Sequence, residues 1–194
     1  MKVKKIGALC KARGICFLFD EMSEAGEIVR QWISNGAALW PGSGLPMLRE
    51  SNLTTLFDFQ SPEKMQITEK ELPGWLYPLC HDLRDGEAEL QESSIRVRAD
   101  GDELMALTAG ASVIWLRSDM LKPCWTKETR LVLRRDTEGR EAVMVCDGLF
   151  LVGIIMPAVV REEVFRELLR LGVSAPKPVT PAEELPEDED DADQ

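Results

Sequence analysis

Three Asx-Gly dipeptides, Asn35-Gly36, Asp100-Gly101 and Asp147-Gly148, each separate two segments of strand length. Asn, Asp and Gly tolerate the positive φ angles that a type I′ hairpin turn requires, so each dipeptide predicts a pair of antiparallel strands. Because such turns occur at three places along 194 residues, antiparallel sheet is predicted to be a main component of the fold.

Apolar spacing places helices and further strands around these turns. Apolar residues recur at helical spacing over residues 4–12, 49–57 and 161–171, and Ser118 is a candidate N-cap for a short fourth helix. The sequence therefore predicts the α+β class. Strands are predicted at residues 15–19, 27–34, 37–40, 65–68, 95–99, 103–108, 113–116, 131–133, 142–145 and 149–156.

A similar order of elements occurs twice. Residues 4–57 and 117–171 each contain a short helix, two strands, an Asx-Gly turn, a third strand, a proline and a second helix. One such unit cannot bury both a sheet face and a helix by itself, whereas two units that share a sheet can. We therefore expect antiparallel sheets built from repeated βαβββ-type units, with the helices packed on one face.

The second unit also resembles a known family. The segments Val113-Ile-Trp-Leu-Arg-Ser-Asp-Met-Leu-Lys-Pro, Thr129-Arg-Leu-Val-Leu and Leu149-Phe-Leu-Val-Gly-Ile-Ile-Met-Pro are similar to the closing unit of bacterial sliding clamps, the processivity clamps of DNA polymerases. Asn35-Gly36-Ala-Ala-Leu39 resembles the Asp-Gly turn and apolar strand of the same family. The resemblance implies a clamp-like fold, an association with DNA replication and an origin in a phage or other mobile element. A three-domain clamp would need nearly twice this length.

Charge divides the chain into a body and a tail. The formal net charge is −11, and residues 176–194 hold eight acids against Lys177 alone, so the body of residues 1–175 carries only −4. A segment rich in acids and prolines cannot bury enough apolar surface to offset the entropy of ordering. We expect one compact body over residues 1–175 and a disordered acidic tail over residues 176–194.

Cysteine usage and the absence of a targeting pattern predict a cytoplasmic protein. The five cysteines form no CxxC pair, which is typical of free buried thiols in a reducing compartment. Lys11 and Arg13 interrupt the apolar stretch that a signal peptide would need, and no apolar run approaches the length of a membrane span.

No catalytic or metal-binding pattern is present in the sequence. His81 is the single histidine, and it lies between Cys80 and Asp82, whereas a catalytic triad needs side chains that converge from separated positions. Gly42-Ser43-Gly44 does not open a helix as a phosphate-binding loop would. We expect no catalytic residue, no metal and no cofactor.

Arginines on predicted strands are the candidate contacts for nucleic acid. Arg96 and Arg98 share one strand face by the period of two, as do Arg130 and Arg134, and such faces can contact phosphates. Basic residues also cluster between Lys2 and Arg13. Trp40, followed by a proline and a glycine, is the tryptophan that we expect to be exposed and able to stack on a base.

These features favour a non-enzymatic accessory or interaction protein of clamp-like architecture that is associated with DNA replication, with DNA or a DNA-associated protein as its partner. Two alternatives stay open at this point. One is a protein–protein adaptor that uses the acidic tail as its interaction arm. The other is an enzyme with an unrecognised carboxylate site.

Overall fold

The structure is a computed structural model, and it describes residues 2–59, 64–81, 87–99, 101–110, 112–136 and 138–160. The described chain holds two α-helices, ten strands and short 3-10 helices at Tyr77–Leu79 and Ser118–Leu121. In chain order the main elements are α1 (Val3–Arg13), β1 (Ile15–Met22), β2 (Ile28–Ser34), β3 (Ala38–Pro41), α2 (Glu50–Leu56), β4 (Gln66–Glu71), β5 (Ala88–Ala99), β6 (Asp102–Ala109), β7 (Ser112–Arg117), β8 (Thr129–Arg135), β9 (Glu141–Asp147) and β10 (Phe150–Ile155).

All ten strands join one sheet in the order β4-β1-β2-β3-β10-β9-β8-β5-β6-β7. The protein is therefore α+β, as the sequence predicts. The expectation of purely antiparallel pairing is wrong at one edge, where β4 runs parallel to β1 over Ile15–Asp20. The chain reaches this edge through α2, because a parallel pair needs a crossover connection and a hairpin cannot supply one.

Two apolar clusters explain why the central strands read as unbroken apolar runs. One contains residues from both α-helices, such as Ile6 and Leu53, together with Leu18, Val143 and Leu116 from the sheet. The other contains Trp32 and Met144 on central strands and the segment from Leu72 to Cys80. A sheet that is buried on both faces has no polar-out face, so its strands lose the alternation of a half-exposed sheet.

The turns at Asn35-Gly36 and Asp147-Gly148 differ from the predicted type I′ geometry. Gly36 and Gly148 have φ angles of 81° and 61°, but the non-glycine residues with positive φ in the described chain do not include Asn35 or Asp147. At the Asp147-Gly148 turn, Phe150 pairs with Asp147, so Gly148 is the first of two loop residues, as in a type II′ turn. Positive φ at one position alone is enough for that turn.

The first turn is wider and is held by a side chain. Ser34 pairs with Leu39, which leaves four residues in the loop. The Asn35 side-chain oxygen accepts hydrogen bonds from the backbone N–H groups of Ala37 and Ala38 at 3.1 and 3.0 Å. Asn35 is fully buried, and its amide nitrogen lies 3.3 Å from the Met120 sulfur. Asn35 therefore closes the loop with its side chain instead of adopting positive φ.

β5 is much longer than predicted and connects two parts of the sheet. Its first residues, Ala88–Leu90, pair with β8, and the rest pairs with β6. The register shifts between Glu92 and Arg96, where the strand carries a bulge. A bulge bends a strand and re-aims its side chains. This one brings Arg96 towards the start of α1.

Two sequence predictions lie outside the described residues, namely the helix over 161–171 and the acidic tail over 176–194. Within the described ranges, no helix has the length and apolar character needed to cross a membrane.

Candidate nucleic-acid interface

A cavity of about 390 Å³ lies where the start of α1 meets β5 and the 3-10 helix Ser118–Leu121. Four cationic side chains from three separate segments line it, and we call this cavity with its lining residues the basic pocket. Its lining residues are Lys2, Lys5, Glu92, Arg96, Glu103, Met105, Ser118, Leu121, Lys122 and Trp125.

The first turn of α1 carries charge of the sign that its dipole disfavours. The N-terminal end of a helix is the positive end of the macrodipole and stabilises anions there. In α1 the first turn contains no acid, and the N-cap Lys2 makes no side-chain capping bond. Lys2 and Lys5 add two exposed positive charges at the same end. An anion in the basic pocket would relieve this repulsion.

The helix start is anchored next to Lys122. The backbone N–H of Lys2 donates to the Pro123 carbonyl at 2.8 Å. On the other side of α1, Ile6, Leu9 and Cys10 are buried in the core, which fixes the rotation of the helix and leaves Lys5 at the surface. Lys5 and Lys122 are therefore held on neighbouring backbone segments although they are 117 positions apart in the sequence.

Arg96 is oriented by the β5 bulge. Its Nη1 donates to the backbone carbonyls of Ser93 at 2.6 Å and Ile95 at 3.1 Å. Its Nη2 pairs with the Glu92 carboxylate four residues earlier. Both side chains of this pair are more than a third exposed, so solvent screens the attraction and the pair is weak. A ligand phosphate can replace the Glu92 carboxylate at little cost.

Lys122 and Trp125 lie on the turn that follows the 3-10 helix. Met120 and Leu121 are buried and anchor this turn to the core. The Leu121 carbonyl accepts the backbone N–H groups of Cys124 at 3.0 Å and Trp125 at 2.9 Å. Trp125 is 39% exposed and lines the basic pocket, so its side chain can contact an aromatic ligand there while its backbone is held by the Leu121 carbonyl.

The basic pocket is chemically suited to an anion that carries an aromatic group. Its four cations outnumber Glu92 and Glu103 by two, and Glu103 also accepts a hydrogen bond from the Ser118 hydroxyl at 3.1 Å. Lysine and arginine neutralise phosphates, and an exposed indole stacks on a base without reading its identity. Phosphate contact together with base stacking is the binding mode of single-stranded nucleic acid.

The predicted arginine candidates do not form one surface. Arg96 lines the basic pocket, whereas Arg98 is exposed two residues further along β5, opposite Glu103 on β6. Arg130 is exposed on β8 and pairs with Glu89 at 3.2 Å. Arg130 and Arg98 are therefore accessible but lie outside the basic pocket.

The prediction that Arg134 contacts nucleic acid is wrong, because its side chain is only 3% exposed. It forms a two-pronged ion pair with Glu87 and donates to the carbonyls of Leu79 at 3.0 Å and His81 at 2.7 Å. A guanidinium with these partners ties the segment before β5 to β8. The strand period gave the face of Arg134 but did not reveal that the chain from Leu72 to Cys80 covers that face.

The prediction that Trp40 is exposed is also wrong, since Trp40 is fully buried. It lies on β3, a central strand between β2 and β10. Its indole packs against Gly153, where an added Cβ would lie 3.4 Å from the ring. The Cys124 sulfur also packs against Gly153. Burial raises the pKa of the Cys124 thiol to about 12. The proline and glycine after Trp40 end the strand without bringing the ring to the surface.

His81 is exposed and contributes its backbone carbonyl to Arg134. Cys80 beside it is buried, and desolvation raises the pKa of its thiol to about 12, which disfavours a thiolate nucleophile. In the described ranges, no three His, Cys, Asp or Glu side chains are grouped as metal ligands would be.

Lys122 and Trp125 are a cation and an aromatic residue of the pocket that the sequence analysis did not select as contacts. The signal available was their position: they flank Pro123 and Cys124 directly after a predicted helix stop, where surface turns are common. Nothing in the local pattern indicates that this turn meets the start of α1, because that contact joins opposite halves of the chain.

Comparison with protein-family models, curated proteins and solved structures gives no match for this chain.

Proposed function

We propose that this protein is a non-enzymatic accessory protein that binds single-stranded nucleic acid, DNA in the first place, through the basic pocket. The observation that carries the proposal is the convergence of Lys2, Lys5, Arg96 and Lys122 around one cavity that is also lined by the partly exposed Trp125. These side chains come from three segments that are distant in the sequence, so the fold itself assembles them.

Net charge favours a local contact over tracking along a duplex. The body carries −4 and the whole chain −11, so the average potential repels a polyanion. A site that binds under these conditions needs a local excess of cations and a non-ionic contribution. Stacking of a base on Trp125 supplies the non-ionic contribution, and this stacking requires an unpaired base.

We further propose that β1–β3 and β8–β10 are two copies of one unit arranged in a clamp-like manner. Two observations support this. Each unit is a three-stranded antiparallel meander. In the sheet the strands of the second unit follow those of the first in reverse order, β1-β2-β3 and then β10-β9-β8. The last strands meet antiparallel, with Leu39 opposite Ile154 and Ala38 opposite Ile155, as an approximate twofold axis between them requires.

The binding proposal is tested by fluorescence anisotropy with a labelled oligothymidylate of about 12 nucleotides. We expect salt-dependent binding that the double substitution Lys5→Ala/Lys122→Ala weakens at least about tenfold. Trp125→Ala should weaken it about 5-fold to 150-fold, the range of one lost base stack.

Matched controls separate the pocket from general electrostatics. Lys11→Ala/Lys64→Ala removes the same charge from exposed positions outside the pocket, and Trp75→Ala removes a ring that is 41% exposed elsewhere. Both controls should bind within about twofold of the parent protein. Equal weakening by the pocket and control variants, or no binding by the parent, would rule the proposal out.

A second candidate function is a protein–protein adaptor, and the tip of the β9–β10 hairpin favours it. Leu149 and Phe150 are 74% and 73% exposed. Two adjacent apolar side chains at such exposure are typical of a protein contact. In that case Leu149→Ser/Phe150→Ser should abolish capture of a partner protein, and the oligothymidylate affinity of this variant should equal that of the parent.

A further inference from the structure

The most acidic part of the chain has a charge opposite to that of the basic pocket. Residues 183–193 contain Glu183, Glu184, Glu187, Asp188, Glu189, Asp190, Asp191 and Asp193 and no cation. The basic pocket holds an excess of two cations and the unbalanced start of α1. Clustered carboxylates present the same charge and acceptor chemistry as a phosphate backbone.

The described chain ends close to the basic pocket. The backbone N–H of Ala158 donates to the Trp115 carbonyl on β7 at 2.7 Å. Ser118, which lines the basic pocket, lies three residues beyond Trp115, a distance of roughly 10 Å along a strand. Glu183 follows Val160 by 23 residues, a length of chain that can span at most about 75 Å. The acidic segment can therefore reach the pocket of its own molecule.

We propose that the acidic segment 183–193 occupies the basic pocket in the same chain and competes there with nucleic acid. This inference takes its site from the proposed function but not its ligand, so it can hold even if nucleic acid does not bind. A tethered segment is present at an effective concentration on the order of millimolar, which makes even a weak contact effective. Because the contact joins solvent-exposed charges, salt above about 0.3 M should screen it.

The test uses the full-length chain with all eight acids of segment 183–193 changed to their amides, Glu→Gln and Asp→Asn, at unchanged length. The first readout is the indole N–H signal of Trp125 in ¹H–¹⁵N spectra, assigned by its loss in Trp125→Phe. Trp75 is the internal control, because it has a similar exposure of 41% and stacks on Arg140 at 4.7 Å instead of lining the basic pocket.

At low salt we expect the Trp125 signal to differ between the parent and the amide variant while the Trp75 signal stays in place. The difference should disappear at high salt. An unchanged Trp125 signal, or equal shifts of Trp125 and Trp75, would overturn the inference, since the first means no contact and the second means a general charge effect.

The second readout is oligothymidylate affinity at low salt, where the amide variant should bind at least about fivefold more tightly than the parent. Equal affinities would overturn competition. If the Trp125 signal responds as expected but neither protein binds oligothymidylate, the contact of the segment with the pocket stands and the proposed function fails.

Discussion

Two arginines on β8 show how burial decides the role of a charge. Arg130 and Arg134 lie four positions apart and point to the same face of the sheet, yet Arg130 is half-exposed and Arg134 is almost inaccessible. The strand period predicts their common face. It cannot predict which part of that face the chain from Leu72 to Cys80 covers, because that contact joins segments about 55 residues apart.

Removing Arg134 should therefore destabilise the fold much more than removing Arg130. Arg134→Ala removes a nearly inaccessible guanidinium that pairs with Glu87 and donates to the carbonyls of Leu79 and His81, so we expect a loss of about 3–5 kcal/mol in the free energy of unfolding. Arg130→Ala breaks an exposed pair with Glu89 and should cost less than about 1 kcal/mol. Urea unfolding measures both, and similar costs for the two variants would contradict the structural role of Arg134.

Asp136 gives a prediction for pH. Burial by itself would raise the pKa of its carboxyl, but hydrogen bonds from the Arg140 side chain and from the backbone N–H groups of Arg140 and Glu138 hold it below the usual value. A lowered folded-state pKa stabilises the fold above the unfolded pKa of about 4, and this stabilisation is lost as the pH falls through the folded value. The parent should be more stable than Asp136→Asn near pH 7, and the gap should narrow towards about pH 3. A gap that is constant over this range would contradict the charge-based account.

At the scale of elements, the sequence was most informative where local chemistry is decisive. The Asx-Gly dipeptides located three hairpins, and apolar spacing located α1 and α2 within one or two residues. The first half of β5 was not predicted because Glu89, Gln91 and Glu92 are poor strand formers. These residues belong to a strand because they pair with β8 and β6, which follow later in the chain. The burial of Trp40 was not predicted because it depends on β10, which lies more than 100 residues away in the sequence.

The turn glycines can be tested by substitution. Gly36→Val and Gly148→Val each force a β-branched residue to positive φ, at a cost of about 1–3 kcal/mol in unfolding free energy. The cost should be larger at Gly36, where an added Cβ would lie 3.0 Å from Ile15 Cδ1, than at Gly148, where it would meet no atom within 4 Å. Gly74→Ala, at a position with open space and no positive φ, should be nearly neutral. Costs in the reverse order would show that Ile15 adjusts without strain.

At the scale of the whole molecule, an acidic protein carries a locally basic cavity. The start of α1, the β5 bulge and the turn after Ser118–Leu121 come together in the fold, and together they place four cations and Trp125 in the lining of the same cavity. Sequence reasoning found Arg96 and the basic start of the chain separately. It could not join them to Lys122 and Trp125, because their proximity is a property of the assembled sheet.

The most direct test of this account is the salt dependence of oligothymidylate binding by the parent protein and by Lys122→Ala. If the Lys122 ammonium neutralises a phosphate, a plot of the logarithm of the association constant against that of the salt concentration should be shallower in the variant by about 0.7, the value for one phosphate contact on a single strand. Lys64→Ala, which removes an exposed lysine outside the pocket, should keep the parent slope. Parallel lines for the parent and Lys122→Ala would mean that the lysine contacts no phosphate and would contradict the assignment of the basic pocket as the nucleic-acid site.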